Sequence, residues 1–461
     1  MTPRLLSWIA QATGGRLHGA DRTVDAIATD TRALPGGDAL FVALKGERFD
    51  GHAHVQAAVD GGCVAALVAQ VQEIDIPQVV VADTQRALGS LAAAVQMGRA
   101  TKVLAVTGSN GKTTVKTLLL SILRQLGGAY ANPGNRNNEI GLPLAVLEAP
   151  DDARFAVYEM GAGKPGDIAY LCAIARPDVA LVNNVGAAHL ERMGSLLGVA
   201  QTKGAIYQAL PADGVAVVNA DDAFAVYFSE RLRGRRMITF GIESAADVSA
   251  HAIRAGIDGS RFVLVTPAGE VEVALPLAGR HNVRNALAAA AMALAVGAGP
   301  DQIRAGLEAS DRVAGRLVAR PLRSGALLID DSYNANPNSL AAAIDTLAEG
   351  GGEAWLVLGD MRELGEHEIA LHAEAGARAR ESGIARLYTL GPLSAHASAA
   401  FGRGAAHFET HEALLQALAP ALRPGVRVLV KGSRGSAMDT IVAALLARDA
   451  ARGSEEGTDA A

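Results

Sequence analysis

Aromatic side chains, cysteines, surplus basic charge and long apolar runs are all scarce in this chain. Only 4% of its residues are aromatic although half are hydrophobic. Small and aliphatic side chains therefore carry the apolar content, which suits α/β layers in which helices pack closely on parallel strands. The two cysteines, Cys63 and Cys172, stand far apart in apolar surroundings and outside any metal or CxxC spacing. They are expected to be buried and reduced, as in a cytosolic protein. A net charge of −6 without a basic stripe argues against nucleic acid as a partner. No uninterrupted apolar run reaches the ~20 residues of a membrane span. The opening MTPRLLSWIAQATGG is too short and too broken for a signal peptide. The polar, acidic stretch 452–461 reads as a disordered tail.

What is present is concentrated in residues 102–114, KVLAVTGSNGKTT. The apolar run Lys102 to Val106 has the composition of a buried parallel strand. Gly108-Ser109-Asn110-Gly111 breaks it, and Lys112-Thr113-Thr114 opens an amphipathic helix through Val115, Leu118, Leu119, Ile122 and Leu123. Strand, glycine turn and helix N-terminus together bind phosphate. Glycines admit backbone N–H groups to the oxygens, the helix dipole favours the anion, lysine neutralises it and a hydroxyl ligates Mg²⁺. Val106 replaces the first glycine of the usual P-loop, so this is the shorter TGxxGKT form. The chain is read as binding a nucleoside triphosphate.

At 461 residues the chain exceeds one core, and domains of ~100–200 residues suggest three. Residues 1–99 hold a helix (Leu5–Thr13) and short strands at Ala39–Leu44, Val64–Ala69 and Gln78–Val81. Residues 100–312 hold strands at Phe155–Met160, Val179–Val185, Gly214–Asn219 and Met237–Phe240, a doubly wound and mostly parallel sheet. Arg261–Thr266 and Glu270–Leu275 alternate as an antiparallel addition, and Val283–Val296 is an Ala-rich buried helix. Residues 313–461 repeat the α/β rhythm with strands at Ala326–Asp331, Ala354–Gly359, Arg386–Gly391 and Arg427–Val430 but have no second phosphate loop. Ligands of such sheets gather at the carboxyl ends of strands and at domain junctions.

Most polar motifs fall where these strands end. Glu159, in FAVYEMG, is placed either to hold Mg²⁺ against phosphates or to cap the next helix. His189, in NNVGAAHLE, sits in a small-residue turn from which it either reaches a metal or phosphate or serves structure. Lys203 is a solvated or anion-contacting residue on its helix unless buried, in which case it must shed its charge by a lowered pKa or by chemical modification. GRHNVRNA places His281, Asn282 and Asn285 at the entry to the Ala-rich helix, to read a purine edge or to cap. Arg316 either folds onto a terminal phosphate or lies beside a linker. DDSYNANP ends a strand with Asp331, a ring for base stacking in Tyr333, and a helix start at Pro337 and Ser339. Lys431 and Arg434 end the last strand as anion contacts or solvated charges. The turns TDTR (29–32), LKGERFDGH (44–52) and NRNNEIG (135–141) are ordinary loops singly, but their number suggests a large polar substrate.

Together these motifs resemble the Mur ligase family, ATP-dependent enzymes that extend the peptide of the peptidoglycan precursor, and the likeness spans nearly the whole chain. Within the family, DDSYNANPNS, GNRNNEIGLPL and VLGDMRELGE look like the members that add D-alanyl-D-alanine to UDP-N-acetylmuramoyl-tripeptide. The DNPR-type motif frequent in the preceding ligase is absent from the sequence. The resemblance implies a UDP-binding α/β N-terminal domain, a central ATP-binding domain and a Rossmann-like C-terminal domain, in a cytoplasmic monomer using ATP and Mg²⁺. It implies that Lys112, with Gly108, Ser109, Asn110, Gly111 and Thr114, contacts phosphate. Thr113 and Glu159 would ligate a first Mg²⁺, while His189 and a carbamylated Lys203 would hold a second. Asn282, with His281 and Asn285, would meet the adenine side, and Arg316 and Asp331 would close on ATP. Thr31, Arg32, Lys45, Asn137 and Asn138 would meet the UDP-sugar substrate. Gly163-Lys164 departs from the Asn followed by His or Arg that look-alikes carry. Folylpolyglutamate synthase shares the loop and the lysine, but DDSYNANP and the first domain argue against it. A GTPase-like switch would need an NKxD motif at a strand end.

Overall fold

The computed structural model describes residues 1–458 apart from 47–48, 188 and 257–258, and beyond residue 451 only the backbone. Each of the three segments contributes its own sheet. The central one runs, in spatial order, Arg236–Phe240, Val215–Asn219, Val179–Val182, Lys102–Thr107, Phe155–Glu159 and Ala129–Ala131, all parallel. The chain leaves Lys102–Thr107 toward one side of the sheet, then returns to its other side at Val179–Val182. The phosphate loop thus lies at the topological switch point, where such sheets open a crevice beyond their strand ends.

Both faces of the central sheet are covered, so its strands are continuous apolar runs. On one face the helices Lys112–Arg124, Arg280–Ala295 and Pro300–Glu308 bury Leu118, Leu119, Ala286 to Ala293 and Leu307 against Val106, Val157 and Leu181. Alanines let the Arg280–Ala295 helix lie close to the strands. Gly306 does the same between helices, since a Cβ there would stand 2.3 Å from Ile122 Cα. On the other face, Leu142, Ile168 and Val199 share one core with Leu6, Ile9, Leu88 and Leu91 of the first segment. The first segment is therefore fused to the second through the helix Thr84–Met97 rather than tethered by a linker.

The first segment's sheet runs Arg16–His18, Gln78–Val80, Cys63–Val68, Ala39–Val42, Ala26–Ala28, with only its first pair antiparallel. The antiparallel addition has three strands, Ser249–Gly256, Gly259–Thr266 and Gly269–Leu275. Its first strand, SAHAIRAG, escapes the sequence reading because it is half-exposed, and the edge strands Ala129–Ala131, Val318–Pro321 and Ala405–Phe408 because they are short. The C-terminal sheet runs Val318–Pro321, Leu327–Asp331, Val426–Lys431, Glu353–Gly359, Arg386–Leu390, Ala405–Phe408, parallel except for the first pair. Both cysteines are free and buried. The last helix spans Asp439–Thr458. The tail expected to be disordered from residue 452 is thus helical backbone through Thr458, and 459–461 lie outside the described residues. Among the described residues no helix is long and apolar enough to cross a membrane.

Candidate active site

Two adjoining cavities, about 390 and 430 Å³, lie where the carboxyl ends of the central strands meet the C-terminal segment. The phosphate loop separates them. Gly108 and Gly111 have φ of 148° and 79°, a region only glycine enters cheaply. A Cβ on Gly111 would stand 2.3 Å from Asn285 Oδ1 and 2.5 Å from Asn183 Nδ2. The loop is pinned by its neighbours. Asn110 N donates to Asn184 Oδ1 (2.8 Å), Asn183 Nδ2 donates to Asn110 O (2.9 Å), and Gly186 N donates to Ser109 Oγ (2.9 Å). Lys112 opens the helix and curls back to donate to Gly108 O at 2.8 Å. Burial pulls its pKa down; Glu159 opposes this and Arg316 adds to it.

Glu159 ends the strand beside the loop and is 3% exposed. Thr113 Oγ1 donates to its Oε2 at 2.9 Å and Asn137 Nδ2 to its Oε1 at 2.9 Å. Burial alone would raise its pKa, but Lys112, Lys116 and these hydrogen bonds outweigh that and hold it below the ordinary value, hence anionic. Lys116 is a cation the motif reading missed. It lies one turn after Lys112 on the same helix face, 3.4 Å from Glu159 Oε2, and donates to Asn132 O and Gly134 O at 2.9 and 3.0 Å. A second lysine at i+4 from the loop lysine, ahead of the apolar Leu119 and Leu120, was the available signal. Asn137 and Asn138, both expected at the substrate, line the first cavity, and Asn137 also donates its amide to Glu159.

Lys203 projects from the helix Leu196–Gln208 into this cavity, 1% exposed, with no hydrogen bond or ion pair to another described residue. Burial, then Lys112, pulls its pKa down to about 7. Of the two readings left open for it, the buried one holds. His189 lines the same cavity from a left-handed turn at φ 54°, its Nδ1 2.5 Å from Glu363 Oε2. Its neighbour Ala188 lies outside the described residues.

The C-terminal segment closes both cavities. Asn336 caps the helix Pro337–Ala348 by accepting from Ser339 N at 2.9 Å, and its Nδ2 donates to Asn110 Oδ1 at 2.7 Å. One side chain therefore starts a helix and docks it on the phosphate loop. Arg316 lines both cavities, its Nε buried and without a hydrogen-bond partner among the described residues. Its guanidinium lies 4.3 Å over the Tyr333 ring. Tyr333 thus stacks a cation, and lines the cavity of Lys203 and His189 rather than that of the amides. The second cavity holds Thr114, His281, Asn282, Asn285, Asp331 and Lys431. Asn285 Nδ2 donates to Asn282 Oδ1 at 3.1 Å and Asn282 Nδ2 to Ala278 O at 2.7 Å, so these amides also brace the helix entry. Asp331 and Lys431 end adjacent strands in register and meet at 2.5 Å; burial pushes the carboxyl up and the amine down, each opposed by the other. Burial, then Lys431 and Arg284, brings His281 down to about 4, which leaves it neutral.

This arrangement is shared with known proteins. Residues 106–293 match the Mur ligase middle domain and residues 315–434 the Mur ligase glutamate ligase domain. The UDP-N-acetylmuramoyl-tripeptide–D-alanyl-D-alanine ligase of Escherichia coli is 45% identical over 443 residues, covering 95% of this chain and 98% of its own. The chain is a Mur ligase of the MurF group. A crystal structure of MurF from Acinetobacter baumannii superposes with a TM-score of 0.92 at 37% identity over 96% of this chain and 99% of its own. MurF from Thermotoga maritima in complex with ADP gives 0.84 at 28% identity, over 93% and 99%. A folylpolyglutamate synthase from Mycobacterium tuberculosis shares the fold alone, at 19% identity, 77% of this chain and 92% of its own, with a TM-score of 0.62. The folate alternative is not favoured.

In this ligase Thr31, Arg32 and Lys45 lie away from both cavities. Arg32 pairs with Asp30 at 2.6 Å and Lys45 with Asp50 at 3.5 Å, all on the first segment's surface. Glu47 and Arg48 of that turn lie outside the described residues. Among the described residues no three His, Cys, Asp or Glu side chains cluster as a metal cage. The hydroxyl of Thr113 beside the anionic Glu159 nevertheless offers the hard oxygens and single carboxylate that Mg²⁺ takes when phosphates complete its shell.

Proposed function

We propose that the two cavities together catalyse ATP-dependent attachment of D-alanyl-D-alanine to the terminal carboxylate of UDP-N-acetylmuramoyl-tripeptide. Relatives bearing that activity in their name match essentially end to end at 35–45% identity. The observation that carries the residue roles is the convergence of Lys112, Glu159, His189, Lys203 and Arg316 on one cavity beside the phosphate loop.

A carboxylate is a poor electrophile, so it must first attack the γ-phosphorus of ATP and become an acyl phosphate, releasing ADP. The free amine of D-alanyl-D-alanine then attacks that carbonyl, and phosphate leaves as the amide forms. The chain's task is to gather anions that repel one another and to align both attacks. Loop amides and the Lys112 ammonium hold the β- and γ-phosphates. Arg316, stacked on Tyr333 with an Nε that no described residue engages, is preset for the transferred phosphoryl group. Asn282 and Asn285 line the adenine side with His281, and Asp331 fixes Lys431 there. Thr113 and Glu159 would hold one Mg²⁺, and His189 with a carbamylated Lys203 a second; the ions would neutralise the phosphates in transfer. Lys203 is suited to carbamylation because its buried amine is substantially neutral near pH 7. Asn137 and Asn138 face the acceptor side, and Thr31, Arg32 and Lys45 are assigned to the uridine diphosphate end.

The test is phosphate release by the purified protein with ATP, Mg²⁺, UDP-N-acetylmuramoyl-tripeptide and D-alanyl-D-alanine, omitting each in turn. Release requiring all four, with pentapeptide identified by mass, is expected. Turnover with another amino acid or a folate instead would overturn the substrate assignment.

A further inference from the structure

His189 is gripped from the other side of the domain junction. Glu363, whose Oε2 stands 2.5 Å from His189 Nδ1, lies beyond the strand Glu353–Gly359 of the C-terminal segment. Both residues adopt left-handed backbone, φ 54° at His189 and 64° at Glu363. That conformation costs a non-glycine residue roughly 1–2 kcal/mol, in full at Glu363 and less at His189, because histidine enters this region more readily than most side chains. The two turns touch elsewhere too, since a Cβ on Gly365 would stand 3.6 Å from Glu191 Cα. Stability does not explain the arrangement. With side chains 36% and 52% exposed, such a contact is worth about 0–1 kcal/mol even with a charged ring, less than the backbone strain of the two turns. Strain that persists in this way marks a position fixed for function.

The contact decides which ring nitrogen is available. With Nδ1 turned to a carboxylate, the proton sits on Nδ1 and Nε2 keeps its lone pair for the cavity that also holds Lys203 and Lys112. We propose that Glu363 is a positioning residue that locks His189 in its ligating orientation only when the C-terminal segment is docked. Cation binding in the cavity and docking of that segment are then coupled, each favouring the other by the same factor. The inference rests on the assignment of His189 to the metal side of the site.

Mn²⁺ binding in the presence of ADP, followed by electron paramagnetic resonance, tests it on the full chain. Glu363→Ala is expected to weaken Mn²⁺ about tenfold, the low end of the loss seen when such partners of a ligand are removed. Glu363→Gln retains most of the affinity, because its amide oxygen still accepts from Nδ1–H. In a His189→Ala background, Glu363→Ala adds nothing. Unchanged affinity in Glu363→Ala alongside a loss in His189→Ala overturns the positioning role alone. Equal losses for Glu363→Ala with and without His189 also overturn it, by showing that Glu363 acts elsewhere. Unchanged affinity in His189→Ala overturns the assignment of His189 itself, and the positioning role with it.

Discussion

Replacing Lys203 by alanine removes a buried amine whose protonation the fold has already altered. An ordinary lysine titrates near 10.5, and here burial and Lys112 bring the value to about 7. At pH 7 an ordinary lysine is neutral in about 3 molecules per 10,000, whereas this one is neutral in about half, a gain of about 10³ for any reaction that needs the free amine. Reaction with carbon dioxide is one such reaction: it removes a misplaced cation and installs an anion beside the phosphates. Losing that anion should cost what removal of a preorganised charge usually costs, about 10²–10³ in kcat. In the phosphate-release assay Lys203→Ala is therefore expected to lose most activity, with partial recovery when formate or acetate fills the vacated space. In bicarbonate-depleted buffer, wild-type activity should fall as pH drops through about 7, the value at which the amine becomes protonated, and bicarbonate should restore it. Wild-type rates in Lys203→Ala would sink this reasoning.

Three further predictions follow from the same geometry. Gly111→Ala drives a Cβ into Asn285 and Asn183 at a φ of 79°, so it should destabilise the chain by more than about 1 kcal/mol in urea and abolish ADP binding by calorimetry. Lys116→Met leaves Glu159 buried with Lys112 and two hydrogen bonds but one cation fewer, and a loss of about 1.5–3 kcal/mol is expected. Since the folded-state pKa of Glu159 is depressed, its ionic contribution is complete above its unfolded value of 4.5. The deficit in Lys116→Met should shrink below that pH, and a pH-independent deficit would refute the pairing. Arg316→Met removes a cation whose Nε has no hydrogen-bond partner among the described residues and leaves an apolar chain to pack on Tyr333, so the melting temperature should change little while the KM for ATP rises about 10–100-fold, the worth of a charged hydrogen bond.

How much was legible depended on whether the signal was local. The phosphate loop needs a strand, a turn and a helix that are contiguous in sequence, so Gly108 to Thr114 could be read directly. The carboxylate at the end of Phe155–Glu159 was legible because apolar runs end visibly. The roles of single polar residues were not. Glu159 could have capped a helix, and only its place beside Thr113 and Lys116 shows that it faces the phosphate loop. Tyr333 looked available to a base, yet Arg316 occupies its face. Asn137 lines the cavity as a substrate contact would, but its hydrogen bond to Glu159 could not be read from its loop. Short edge strands were missed because three or four half-exposed residues carry no periodicity.

The sequence alone determined the layers, the order of elements and the inventory of polar strand ends, because these follow from local periodicity and turn chemistry. Tertiary structure decided which strand ends meet. It fused the first segment to the second through a common core, and it set Asn336 on Asn110 and Glu363 on His189 across some 170–230 residues of chain. It also decided protonation. Whether Lys203 is an ordinary surface cation or a half-neutral amine is fixed by the water that packing removes around it, and no pattern of neighbours in the sequence carries that.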